Sequence, residues 1–175
     1  PEYTFFTCRN IKTVIMADTA RRIEQNAFNY CRSLVFVKLS INLEYIGVEA
    51  FSYCESLTSI FIPPSCQEIG NRAFQHCQKL IIFHVPQHTE LGDNVIAKTA
   101  LIEASHFELN RWGYYDNHEE VNEWVKNRNE DNEFSLHRAC SSFNPLEQVI
   151  FEIVSRQGLK TFKKQDSVGV TPSQY

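Results

Sequence analysis

Four cysteines recur at one interval along the chain, and their thiols could support metal binding or disulfide chemistry. Cys8, Cys31, Cys54 and Cys77 are each separated by 23 residues. Thiolates ligate metal ions, and thiols at a suitable Cα separation oxidise to disulfides. These cysteines occur singly, without paired C-x-x-C spacing, and side chains in a parallel ladder lie side by side. We therefore expect a column of buried, reduced thiols that fills a repeated apolar slot.

Other reactive side chains form no recognisable catalytic pattern. His84 has no carboxylate or second histidine at positions one repeat away, and the adjacent Glu119 and Glu120 do not face each other on a helix. The segment from His118 to Asn122 departs from the H-E-x-x-H zinc pattern at its last residue. Phosphate-binding glycine loops and nucleophile elbows do not occur in the sequence. We expect a protein that is not an enzyme, with no catalytic residues, no cofactor and no metal.

The 23-residue interval also holds for apolar side chains, which predicts the elements that carry the cysteines. Within one unit, Leu57, Ile60 and Ile62 end in the alternation of a strand with one buried face, and Pro63 then stops the strand. A single unit cannot bury this face, so the units must stack with parallel strands about 4.8 Å apart. The registered columns are Phe5, Phe28, Phe51 and Phe74; Ile11, Leu34, Leu57 and Leu80; Val14, Val37, Ile60 and Phe83; and Met16, Leu39, Ile62 and Val85.

The unit reads Ile-Gly-x-x-Ala-Phe-x-x-Cys-x-x-Leu-x-x-Ile-x-Ile-Pro and is clearest from Ile46 to Pro63. It resembles the BspA-like leucine-rich repeat over residues 1–104. The first copy has Thr4 in place of the alanine, and a last, degraded copy that includes Val95 lacks the phenylalanine and cysteine. The resemblance implies a solenoid of four to five turns over residues 1–105 and a role in binding other proteins.

The outward side chains of the predicted strands form a candidate protein-binding face. Alternation places two columns there, Thr13, Phe36, Ser59 and Ile82, and Ile15, Lys38, Phe61 and His84. Exposed apolar residues beside a few polar ones are typical of protein-binding surfaces. Flanking segments or a dimer partner could cover the face instead, or its apolar residues could be isolated surface residues that do not indicate a binding site. The predicted binding residues are Ile15, Phe36, Lys38, Phe61, Ile82 and His84.

Residues 106–133 differ in composition and read as a capping or linker segment. Val121, Trp124 and Val125 follow helical spacing, which predicts a short amphipathic helix from about Glu119 to Lys126 that docks Trp124 onto a neighbour. The many acidic residues indicate a solvated face or, alternatively, a surface for a basic partner. An aromatic run nearby could cap the solenoid: Trp112, Tyr114 and Tyr115.

Residues 134–175 resemble an ankyrin repeat, although the entry motif has Ser135 followed directly by Leu136 where the family has Thr-Pro-Leu. Val149 to Val154 match the second helix, which ends near Gly158. One ankyrin unit does not fold alone, so we expect further units or packing against the solenoid. The other matching positions are His137, Ala139, Asp166, Gly169, Thr171 and Pro172. The predicted fold class is therefore an α/β repeat solenoid of short parallel strands, followed by an α-helical ankyrin-like segment.

Composition narrows the classes of partner. The formal net charge is −4 and the pI is near 5.9, so we expect neither nucleic acid nor a membrane as partner. Reduced thiols favour a cytoplasmic location. The chain begins at Pro1 and ends within a repeat motif, so we interpret it as a fragment. The predicted function is non-catalytic protein–protein interaction with an unidentified protein. The alternatives are a surface adhesin and the recognition arm of a larger enzyme or signalling protein.

Overall fold

The structure is a computed structural model that describes residues 1–99 and 118–127. The chain divides into one compact unit, Pro1–Asn129, and a second unit, Glu130–Tyr175, and every described residue belongs to the first. The predicted ankyrin-like segment of residues 134–175 and the aromatic run of residues 112–115 lie outside the described residues.

The described part of the first unit is a coil of repeated turns built from short parallel strands. Each turn contains a three-residue strand, a corner, a two-residue strand and a return arc. The three-residue strands pair as β1–β3 and β5–β7, and the two-residue strands form one sheet in the order β2-β4-β6-β8. The strands are β1 (Thr13–Ile15), β2 (Arg22–Ile23), β3 (Phe36–Lys38), β4 (Tyr45–Ile46), β5 (Ser59–Phe61), β6 (Glu68–Ile69), β7 (Ile82–His84) and β8 (Glu90–Leu91).

The strand register reproduces the sequence interval. Val14 pairs with Val37 and Ile46 with Ile69, each 23 residues apart. The last pairing, Ile69 with Leu91, spans 22 residues. One residue has therefore been lost in the corner before β8. The predicted parallel-strand solenoid is confirmed.

Stacked phenylalanines form the centre of the coil, and we call Phe5, Phe28, Phe51 and Phe74 the inner ladder. Successive ring centroids are 5.0, 5.0 and 5.2 Å apart, and neighbouring planes differ by 14° or less. Phe51 and Phe74 have no exposed surface, and the aliphatic columns of the strands pack around them. Stacking at this distance follows from the strand spacing, because one ring is contributed per turn.

The cysteine column lies beside the inner ladder. Cys31, Cys54 and Cys77 are completely buried free thiols. Each Sγ donates a hydrogen bond to the phenylalanine carbonyl of the preceding turn, at 3.1, 3.3 and 3.2 Å, respectively. Burial raises the pKa of the Cys31 thiol to about 11 and also raises the pKa of Cys54. These thiols are therefore protonated structural donors as well as apolar filling, and they are not nucleophiles at neutral pH.

The return arcs join one turn to the next through their backbones. The Phe28 and Phe51 amides donate to Ala50 and Ala73 carbonyls of the following arc, both at 2.8 Å. Two residues before and two residues after each of these phenylalanines, the chain adopts left-handed backbone. The left-handed residues form two columns, Tyr3, Asn26, Glu49, Arg72 and Asn94, and Thr7, Tyr30, Tyr53, His76 and Lys98.

A helix closes the described part of the coil. The helix α1 spans His118–Asn127, one residue longer at each end than the prediction of residues 119–126. Val121 and Val125 belong to the hydrophobic core of the coil, so the helix packs on the coil through its valines. The side chain of Trp124, which we expected to dock, lies outside the description.

Candidate protein-binding surfaces

The structure brings the predicted strand-face residues together in the expected columns. Phe36 lies in register with Thr13, and Lys38 with Ile15. In the later turns Ile82 pairs with Ser59 and His84 with Phe61. The ring of His84 is tilted by 31° against that of Phe61, with centroids 6.3 Å apart.

The predicted exposure of this strand face is wrong at three positions. Phe36, Phe61 and Ile82 retain only 8%, 6% and 4% of their exposed surface. Ile15 is 72% exposed and Lys38 is exposed, whereas His84 is half-buried. Ile15 lies in the first strand, which has a neighbouring turn on one side only, whereas Phe36 and Phe61 lie in β3 and β5, each between two neighbouring turns. Alternation determined which side chains point away from the core but not how much of them is covered.

A second aromatic column, which the sequence analysis did not single out, lies on the outside of the return arcs. We call Phe6, Tyr30, Tyr53 and His76 the arc ladder. The rings of Tyr30 and Tyr53 stack at 4.4 Å, and those of Tyr53 and His76 at 4.2 Å. Phe6 meets Tyr30 edge-on at 6.1 Å. Phe6 is 41% exposed and the other three are half-buried, so ring edges reach the surface on successive turns.

The arc ladder occupies backbone that bulky residues rarely adopt. The φ angles of Tyr30, Tyr53 and His76 are 61°, 58° and 60°. Left-handed backbone costs most L-residues about 1–2 kcal/mol, whereas Gly pays no such cost and Asn tolerates it. Three aromatic residues at three successive strained positions therefore require a compensating gain, part of which is the stacking itself.

Charged side chains flank the arc ladder, and the surroundings of Tyr53 and His76 favour the neutral forms of these two rings. Arg32 lies over the Tyr30 ring, 5.6 Å from its centroid, and pairs with Glu55 at 3.4 Å. Burial, and then the positive charge of Lys98, lowers the pKa of His76 below its ordinary value of 6.5. Burial, and then Tyr30, raises the pKa of Tyr53. Tyr53 and His76 therefore present uncharged edges between charged neighbours.

The sequence did contain a signal for this surface. Tyr30, Tyr53 and His76 immediately precede three members of the cysteine column and share its interval. Because the column mixes Thr, Tyr and His, it does not stand out as an apolar pattern. Knowing that the position is left-handed would have identified it, since aromatic residues are unexpected there.

The described residues contain no arrangement suited to a metal ion or a transmembrane helix. No group of three or more His, Cys, Asp or Glu side chains within residues 1–99 and 118–127 could hold a metal. Nor is any helix in this part of the chain long and apolar enough to cross a bilayer.

Parallel strands at a constant interval, an apolar core of Leu, Ile and Phe, and hydrogen-bonded arcs define a leucine-rich repeat solenoid. The profile of the BspA type leucine-rich repeat region matches residues 1–114 in six copies. This chain therefore belongs to the BspA type leucine-rich repeat family.

Two solved structures are similar to the chain. One is the T. pallidum leucine-rich repeat protein TpLRR, 31% identical with a TM-score of 0.54, where the match covers 55% of this chain and 45% of that one. The other is a leucine-rich repeat protein from Bacteroides ovatus, 28% identical with a TM-score of 0.51, with 61% and 30% covered. The match thus spans less than half the length of either structure. No curated protein shows significant similarity to the chain.

Proposed function

We propose that this protein is a non-catalytic protein-binding repeat protein and that the arc ladder is its principal contact surface. The observation that carries the proposal is the stacking of Tyr30, Tyr53 and His76 on a half-exposed surface although each has strained backbone. Strained conformations concentrate where they serve a function. Tyr is also enriched in protein interfaces, because its rigid ring gives a large contact area at low entropic cost.

The exposed start of the strand face is the second candidate surface. Ile15 and Lys38 are neighbours in register and both are exposed, so they could extend a contact that begins on the strands. Phe36, Phe61 and Ile82 could take part only at their small exposed edges. We also propose a cytoplasmic location and an ankyrin-like repeat in residues 134–175.

The experiment compares binding by variants that leave the core intact. The double variant Tyr30→Asn, Tyr53→Asn removes two rings but supplies a residue that tolerates left-handed backbone. The double variant Ile15→Ser, Lys38→Gln tests the strand face, and Tyr45→Asn is a control that removes a ring from the outer face of β4. Quantitative affinity capture from the source cells, with melting temperatures measured in parallel, should show partners lost only by the arc-ladder variant.

Equal partner lists for the wild type and the arc-ladder variant, with both folded, would contradict the proposed surface. A list that changes only with the strand-face variant would move the contact to Ile15 and Lys38. The alternatives are a surface adhesin and the recognition arm of a larger enzyme or signalling protein. Binding to intact cells would favour the adhesin, and a catalytic signature elsewhere in the full-length sequence would favour the recognition arm.

A further inference from the structure

A backbone hydrogen bond from a glycine recurs along the sheet of two-residue strands. In each turn a glycine amide donates to the carbonyl of the inward aliphatic residue one turn earlier. Gly47 donates to Ile23, Gly70 to Ile46 and Gly92 to Ile69, each at 2.8 Å. The next acceptor in this column is the carbonyl of Leu91, which is the register partner of Ile69.

An amide from α1 occupies that next acceptor. The Asn122 side chain donates through Nδ2 to the Leu91 carbonyl at 3.2 Å and to the Gly92 carbonyl at 3.0 Å. The helix therefore supplies, from a side chain, the N–H group that the glycine of a further turn would supply from its backbone. Among the described residues, β8 pairs with β6 alone, and Asn122 of α1 contacts its other edge.

The apolar side of α1 substitutes for a repeat in the same way. Val121 and Val125 are 9% and 3% exposed and join the core cluster, where earlier turns place the aliphatic residue of the Ile-Gly pair. One further bond fastens the helix, from Gln87 Nε2 to the Lys126 carbonyl at 2.7 Å. The helix α1 thus supplies a hydrogen-bond donor for the backbone carbonyls of the strand edge and apolar side chains that cover the core beside it.

The helix α1 does not fill all the space beside the last turn of the coil, as a further turn would. A shallow groove of about 410 Å³ lies between it and the last turn. Polar and charged side chains make up most of its lining, including Glu119, Glu123 and Lys126. The helix therefore leaves space open beside β8, whereas a strand would be bonded along its length.

We propose that α1 is a latch over a strand-accepting edge, and that releasing it lets β8 pair with an extended segment of another protein that carries an Ile-Gly dipeptide. The segment must contain glycine because of space. A Cβ at Gly47 would lie 2.5 Å from the Gln25 nitrogen, and one at Gly70 would lie 2.7 Å from the Val48 nitrogen. The isoleucine replaces the valines of α1 in the core. This surface is distinct from the arc ladder, so the proposal does not depend on the proposed function.

The probe is a dye-labelled synthetic peptide with the sequence of residues 44–53, which contains Ile46 and Gly47 and no cysteine. Its binding is measured by fluorescence anisotropy against three forms of the 175-residue chain: the wild type, Asn122→Asp, and the double variant Asn122→Asp, Val125→Asp. The aspartate retains the size of Asn122 but cannot donate, and it places a carboxylate against two carbonyls. Glu123→Gln is the matched control on α1, because it changes one charge at the groove but leaves the Asn122 hydrogen bonds and both valines in place.

We call Asn122→Asp and the double variant the open variants, because both weaken the attachment of α1 to the β8 edge. They should bind the peptide at least tenfold more tightly than the wild type and the Glu123→Gln control, because an attached helix lowers the population of molecules whose β8 edge is free to bind. A peptide with Gly47→Val should not bind. Equal affinity for the wild type and the open variants would overturn the latch, and so would no binding by an open variant that keeps the far-ultraviolet circular dichroism of the wild type. If the Gly47→Val peptide bound an open variant as tightly as the unchanged peptide, the proposed pairing of the peptide with β8 would be wrong. If the double variant does not fold, the Asn122→Asp variant alone tests the latch, because it keeps both valines in the core.

Discussion

The inner ladder and the arc ladder are both columns of aromatic rings with one ring per turn, yet they differ in burial and in backbone conformation. In the inner ladder Phe28, Phe51 and Phe74 are buried, and none of its phenylalanines has left-handed backbone. The arc ladder is more exposed, and its residues Tyr30, Tyr53 and His76 have left-handed backbone. Stacking of one ring per turn therefore serves two roles. The inner ladder explains why the coil is stable, whereas the arc ladder adds strain that stability alone does not require.

The largest expected effect is on the inner ladder. Phe51→Ala removes a fully buried ring that stacks on Phe28 and Phe74, and we expect the free energy of unfolding to fall by about 3–5 kcal/mol because a cavity remains. Urea unfolding followed by circular dichroism measures the change. A loss below about 1 kcal/mol would show that the inner ladder does not hold the turns together.

The neighbouring thiol should matter less. Cys54→Ala removes the hydrogen bond to the Phe28 carbonyl, which also accepts from the Cys31 amide, so no carbonyl is left unpaired. We expect a loss of about 1 kcal/mol. If Cys54→Ser, which keeps a donor, is as stable as the wild type, donation is the main contribution. If it is less stable than Cys54→Ala, apolar filling dominates.

The arc ladder should respond differently. Tyr53→Asn gives up two stacking contacts, each worth about 0.5–1.5 kcal/mol, and relieves left-handed strain of about 1–2 kcal/mol. The two effects nearly cancel, so we expect the stability to change by no more than about 1 kcal/mol. Unfolding of this variant beside Phe51→Ala tests the comparison directly, and similar losses at the two sites would remove the distinction between the ladders.

The smallest expected effect is a dependence on pH at His76. Its pKa in the folded protein is lowered from 6.5 by burial and by Lys98, and is partly restored by Glu55. As the pH falls below about 6.5, the unfolded chain binds the proton first, so the fold loses stability progressively until the pH reaches the lower folded value, and the loss is constant below it. His76→Asn should flatten the dependence of the melting temperature in this window. If the melting temperature of the variant fell with pH as steeply as that of the wild type, other titratable groups would be responsible for the acid sensitivity.

The sequence predicted the parts of the structure that periodicity determines. The cysteine and phenylalanine columns, the parallel register and the position of α1 within one residue all follow from spacing and burial. The exposure of Phe36, Phe61 and Ile82 could not be predicted, because alternation gives a side chain's direction but not what lies beside it. The arc ladder was missed because its positions are defined by backbone angle, and φ has no direct signature in the identity of Tyr30 or His76.

The single residue missing between β6 and β8 indicates where such a coil can change length during evolution. The arcs cannot absorb an insertion, since every second amide must meet the carbonyl of the following arc and every glycine must face its predecessor. The corner before β8 loses one residue and the sheet continues in register. Length variation among homologous turns should therefore concentrate at the corners, so the aromatic columns can keep their alignment while the repeats drift apart in sequence.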